Sequence, residues 1–154
     1  MELKAIIIFM LCAPLLCSAS TGAVHVRGRL MCSSNPYANE KVQVWDPHFL
    51  IEFSLWSETQ TDESGYFSMK ASGNDWSGVD PFIWIPNYCA SSLVGDKRCT
   101  EGLIQLNVPK EMISKSHFPN AVYDIGTIQL YEFTATDRLW ISSIFGENKE
   151  CRNY

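Results

Sequence analysis

Three histidines, His25, His48 and His117, and one carboxylate pair, Asp62-Glu63, are the residues whose chemistry is most worth questioning in this 154-residue chain. A zinc helix needs two imidazoles one turn apart, and no H-E-x-x-H occurs. The histidines are scattered without any ligand spacing, so no metal is expected. Asp62 and Glu63 are hard oxygen ligands, but they lack the twelve-residue spacing of a calcium loop. Beside Ser64 and Gly65 they read as a turn. There is no G-x-S-x-G elbow, no glycine-rich phosphate loop and no C-x-x-C pair. Ser, His and Asp residues are present, but a triad assembled only in space leaves no spacing signature. The expectation is binding rather than catalysis, with no cofactor.

The groups suited to binding are of two kinds. Phe49, Ile51, Phe53 and Trp56 lie in a greasy stretch, residues 49–56, whose spacing fits either a strand or a short helix. As an exposed patch it would mark a partner or lipid contact; as core it would be ordinary. Arg27 and Arg29 stand two apart on the polar face of an alternating segment, where they can meet an anionic head group or be solvated. The net charge of −5 and the lack of a Lys/Arg cluster argue against a nucleic-acid partner, which requires a basic surface.

The elements that must position these groups lie in an oxidising compartment. Lys4 precedes an apolar run over residues 5–16, and small residues follow at Ser18, Ala19 and Ser20. That order is a secretory leader, predicted as residues 1–20. The run is too short for the ~20 residues of a membrane-crossing helix. Residues 21–154 then form one domain of ordinary size. Cys12 and Cys17 leave with the leader, and Cys32, Cys89, Cys99 and Cys151 remain as two predicted disulfides. If the runs before Cys89 and after Cys99 are antiparallel neighbours, Cys89–Cys99 closes a short connection. Cys32–Cys151 then pins the tail to the first strand.

Period-two alternation marks strands at residues 23–32, with Val24, Val26 and Leu30 inward, and at 41–46. Gly28 interrupts the inward face and permits a bulge or close approach. Residues 61–67 carry the strongest turn signal and predict a hairpin tip, after which residues 66–71 return as a strand broken at Gly73-Asn74-Asp75. Further strands are expected at 82–85, 103–108 and 122–131, and one helical turn at 110–114. Leu139, Trp140, Ile141, Ile144 and Phe145 fit a short helix or a strand in the tail. Seven strand candidates without a long helix give an all-β sandwich.

The ordered segments Val24-His25-Val26-Arg27-Gly28-Arg29-Leu30-Met31-Cys32, Lys41-Val42-Gln43-Val44-Trp45-Asp46, Thr61-Asp62-Glu63-Ser64-Gly65-Tyr66-Phe67 and Tyr123-Asp124-Ile125-Gly126-Thr127-Ile128-Gln129-Leu130 resemble the nematode transthyretin-like family of small secreted proteins. Asp80-Pro81, the stretch from Ile83 to Cys89, and Cys151 extend the resemblance over most of residues 21–154. It implies a transthyretin-like (prealbumin-like) antiparallel β-sandwich of seven to eight strands, secretion, and an extracellular binding or adaptor role. The implied partner is a protein or lipid at the cell surface, and the chain a monomer or weak oligomer. Two other roles fit the fold: a hydroxyisourate-hydrolase-like enzyme relying on His25 or His117, and a cuticle or matrix component. Asn87 stands where the family often has histidine, and the terminal Cys151-Arg152-Asn153-Tyr154 lacks the hydrolases' tyrosine-arginine-glycine-serine ending.

Overall fold

A computed structural model describes residues 19–48, 52–89, 91–100, 103–133 and 150–153. The predicted leader before Ala19, the patch residues Phe49 and Ile51, and the apolar tail segment around Trp140 and Phe145 lie outside them. Within them the chain forms β1 (Ser20–Cys32), β2 (Asn35–Pro36), β3 (Lys41–Pro47), β4 (Phe53–Gln60), β5 (Tyr66–Asp75), β6 (Phe82–Pro86), β7 (Ser92–Val94), β8 (Lys97–Cys99), β9 (Leu103–Asn107), β10 (Tyr123–Gln129) and β11 (Cys151–Asn153). A single 3-10 turn, Lys110–Met112, stands where one helical turn is expected, and another follows β10 at Leu130–Glu132. The 49–56 ambiguity resolves to strand from Phe53 onward.

Two sheets face each other. In the first, β1 is central, with β5 antiparallel on one edge and β10 parallel on the other: Val26 pairs with both Met69 and Tyr123. The second runs β4-β3-β6-β9, antiparallel throughout. A small third sheet, β11-β8-β7, covers one end. Alternation turns Val24, Val26 and Leu30 of β1 and Phe67, Met69 and Ala71 of β5 against Val42 and Val44 of β3 and Ile83 and Ile85 of β6. Fully burying each such large side chain stabilises by about 1.5–3 kcal/mol. Gly28 behaves as its inward position demands, because a Cβ there would meet Ile125 Cγ1 at 2.3 Å. The β1–β10 register slips at that point, between Arg27 and Arg29.

The hairpin expected at residues 61–67 is not a hairpin. β4 belongs to the second sheet and β5 to the first, so the turn carries the chain from one sheet to the other. Its chemistry is as predicted: Asp62 Oδ1 accepts from the backbone N–H groups of Ser64 and Tyr66, and Gly65 takes φ +80°. Local turn residues fix the bend, whereas the strands' partners are chosen by tertiary packing. β5 also runs on through Gly73-Asn74-Asp75, which do not break it, and pairs with β1 as far as Ser20.

The disulfides join Cys32 to Cys89 and Cys99 to Cys151, the opposite of the expected Cys89–Cys99 and Cys32–Cys151. The premise holds, since β6 and β9 are antiparallel neighbours. Between them, however, the chain builds the β7–β8 hairpin, which puts Cys99 directly opposite Cys151 in the β8–β11 ladder. Cys89 is left beside the end of β1, where its Cα lies 5.5 Å from that of Cys32.

Candidate functional site

The outward face of the first sheet carries the alternate residues of β1 and β5, so His25, Arg27 and Arg29 stand beside Tyr66, Ser68 and Lys70. A groove of about 570 Å³ opens there, lined by Arg27, Arg29, Tyr66, Ser68, Asp124 and Thr127 among others. The two predicted arginines are thus brought together at one site. Arg27 Nε donates to Asp124 Oδ2 at 2.9 Å, and Arg29 Nε donates to the Ser64 carbonyl at 2.9 Å. The Arg29 guanidinium lies 4.9 Å from the centre of the Tyr66 ring, which stiffens both side chains. Among the described residues only the Nε of each arginine is hydrogen-bonded. The acids of the groove are committed differently. Asp62 caps its own turn, and Asp124 accepts from the backbone N–H of Gly126 as well as from Arg27. Those bonds hold the Asp124 carboxyl below its ordinary pKa, the Gly126 N–H contributing most.

Of the expected apolar patch, Phe53 and Trp56 are described, and both are half-buried. Trp56 packs against the core, its ring laid across two glycines that face each other on β1 and β5, Gly22 and Gly73. A Cβ on Gly73 would sit 2.2 Å from Trp56 Nε1, and one on Gly22 3.0 Å from the ring. Phe53 is half-buried and meets Phe82 edge-on, with centroids 6.0 Å apart. Of the described part of the stretch, Leu55 is the large apolar side chain left exposed.

A second polar centre went unpredicted. Asp46, on the inward side of β3, is fully buried; Asp75 closes β5 and is 2 % exposed; His48 follows two residues after Asp46. His48 Nδ1 lies 2.9 Å from Asp75 Oδ2, and its Nε2 bonds Ser54 Oγ. The backbone N–H and hydroxyl of Ser77 also donate to Asp75, both at 2.9 Å. Burial pushes the Asp75 carboxyl up, but the Ser77 and His48 bonds together outweigh it and hold it below its ordinary value. Asp46 accepts one bond, from the Asp80 N–H at 2.7 Å, while its Oδ2 is buried with no partner among the described residues. Burial pushes its pKa up to about 6. One ligand atom from each of Asp46, His48 and Asp75 falls within 4.8 Å of the others. The available sequence signal was Asp46 and His48 at strand spacing on one face. Among the described residues His25 and His117 join no such group: His25 bonds Ser68 at 2.9 Å, and His117 sits in the exposed loop before β10.

With a two-sheet sandwich and its ligand-sized surface groove in place, comparison with known proteins gives the class. The family model described as "TTR-52: Transthyretin-like family" matches residues 27–109. Transthyretin-like protein 33 of Caenorhabditis elegans is 31% identical over 133 residues, covering 85% of this chain and 90% of the relative. Transthyretin-like protein 2 of the same organism is 24% identical over 116 residues, covering 71% and 76%, and transthyretin-like protein 5 is 26% identical over 133, covering 86% of each. The chain belongs to the transthyretin-like family. No helix among the described residues is long and apolar enough to cross a membrane.

Proposed function

We propose that this protein is secreted and acts outside the cell as a binding or adaptor protein, holding an anionic group in the groove on the outward face of its first sheet. The observation that carries this reading is the pairing of Arg27 and Arg29 in one concave site, with their terminal guanidinium nitrogens not hydrogen-bonded among the described residues. Two guanidiniums present planar forks that match phosphate and carboxylate oxygens, and Tyr66 supplies an apolar wall beside them. The neighbouring acids are occupied by backbone and side-chain donors and oppose an incoming anion less than free carboxylates would.

The test is co-sedimentation of the purified protein with vesicles containing phosphatidylserine and with vesicles of phosphatidylcholine alone. Binding to the first, weakened at least tenfold by the Arg27→Gln/Arg29→Gln pair and by raised salt, is the expected result. Equal binding to both vesicles, or a double variant that binds like the original, overturns it.

A further inference from the structure

We propose that Asp46, His48 and Asp75 form a binding site for one divalent first-row transition metal ion, best matched by Zn²⁺, that bridges the two sheets at one end of the sandwich. Asp46 lies near the end of β3 in the second sheet with His48 just beyond it, and Asp75 ends β5 in the first. Each contributes a ligand atom within 4.8 Å of the other two. The 2.9 Å separation of His48 Nδ1 and Asp75 Oδ2 is within about half an ångström of the ~3.4 Å between adjacent ligands of a tetrahedral ion at ~2.1 Å from each, a small opening of the pair.

The independent observation is Asp46 Oδ2, buried with no partner among the described residues. A carboxylate oxygen sealed from water without a donor is a rare and unfavourable arrangement, and here it accompanies a second buried carboxylate. A cation resolves both problems, supplying a partner for the bare oxygen and cancelling the repulsion between two like charges. One imidazole with two carboxylates favours an ion that accepts nitrogen as well as oxygen. Ca²⁺ and Mg²⁺ prefer all-oxygen shells. Ser54 then has a part: with the ion bound, its hydroxyl would accept the Nε2–H of His48, so that Nδ1, which faces Asp75 here, gives up its proton and serves as the ligand, the usual arrangement around a metal-bound imidazole. Ser54, His48 and Asp75 also stand in the order of a hydrolase triad, but that reading gives Asp46 Oδ2 nothing to do.

Zn²⁺ titration of the disulfide-bonded protein by calorimetry, after chelator treatment, tests the site. One ion per chain is expected, with a rise in melting temperature, and Zn²⁺ should bind at least tenfold more tightly than Ca²⁺. Asp46→Asn and His48→Gln should each lower Zn²⁺ affinity at least tenfold and abolish the melting shift. His25→Gln and His117→Gln should change neither. Asp46→Asn keeps the shape of the side chain, and far-UV circular dichroism in chelator establishes that each variant is folded. Absent or unsaturable uptake, Ca²⁺ binding tighter than Zn²⁺, or unchanged affinity in both folded variants overturns the proposal. Metal-independent ester hydrolysis lost in Ser54→Ala would replace it with a triad.

Discussion

Arg27 reaches across the parallel seam between β1 and β10 to place its Nε 2.9 Å from Asp124 Oδ2, so the arginine of the groove is aimed by a strand that the chain makes nearly a hundred residues later. Both partners are exposed, and the pair positions more than it stabilises. The Asp124 carboxyl is held below its ordinary pKa by the Gly126 N–H and then by Arg27. A depressed carboxylate stabilises the fold at pH above its unfolded pKa of ~3.9, and that contribution is lost as the pH falls through the folded value. In Arg27→Gln the Asp124 pKa should rise part of the way to the ordinary value, with the Gly126 bond retaining the rest. Carboxyl NMR titration measures it, and an unmoved pKa would show that the ion pair is not formed in solution.

The disulfides should map as Cys32–Cys89 and Cys99–Cys151 when unreduced peptides are sequenced by mass spectrometry. The bridges span 57 and 52 residues. By the chain-entropy relation each then contributes about 4 kcal/mol. The Cys32→Ser/Cys89→Ser pair should lose roughly that amount in denaturant unfolding and keep the other bridge. Recovery of a Cys89–Cys99 peptide from native protein would contradict the topology of the third sheet.

Gly73→Ala should destabilise by about 2 kcal/mol, because the added methyl must displace the Trp56 ring from a packed interior. The double variant Gly73→Ala/Trp56→Phe should cost less than the sum of its parts, since the smaller ring vacates the space. Strict additivity in urea unfolding would mean that the ring does not lie on Gly73.

Tyr37 is buried, and its hydroxyl both donates to the Pro86 carbonyl at 2.6 Å and accepts from the Tyr88 N–H at 3.0 Å. Burial raises its pKa well above the usual phenol value. Tyr37→Phe leaves two buried backbone groups without partners and should cost about 1–3 kcal/mol. A loss below about 0.5 kcal/mol would indicate that water takes over both bonds.

The sequence made β1 and β3 legible because one face of each is core, and period-two alternation records that directly, whereas β6 is buried on both faces and shows instead as a short apolar run closed by Pro86. The Gly28 slip was legible for the same reason. Gly73-Asn74-Asp75 misled because those residues are turn formers by local chemistry. Their places are set instead by Trp56, which needs a bare backbone beneath it, and by His48 and Ser77, which satisfy Asp75. The crossing at residues 61–67 and the cysteine pairing failed likewise, since a bend or a half-cystine carries no record of its distant partner. The two arginines of the groove were readable from their alternation, whereas the union of Asp46 and His48 with Asp75 exists only once the two sheets close.

The central position of β1 also sets the order in which this molecule can be made. As the chain emerges, β1 can pair with β5 early, yet beyond the single Ala23–Ser114 bridge its other edge stays bare until residues 123–129 arrive. An unprotected edge of alternating valines and leucine is a template for pairing with another chain. The dangerous interval for aggregation is therefore the synthesis of residues 76–122, and truncations ending in that window should precipitate where the full-length chain does not.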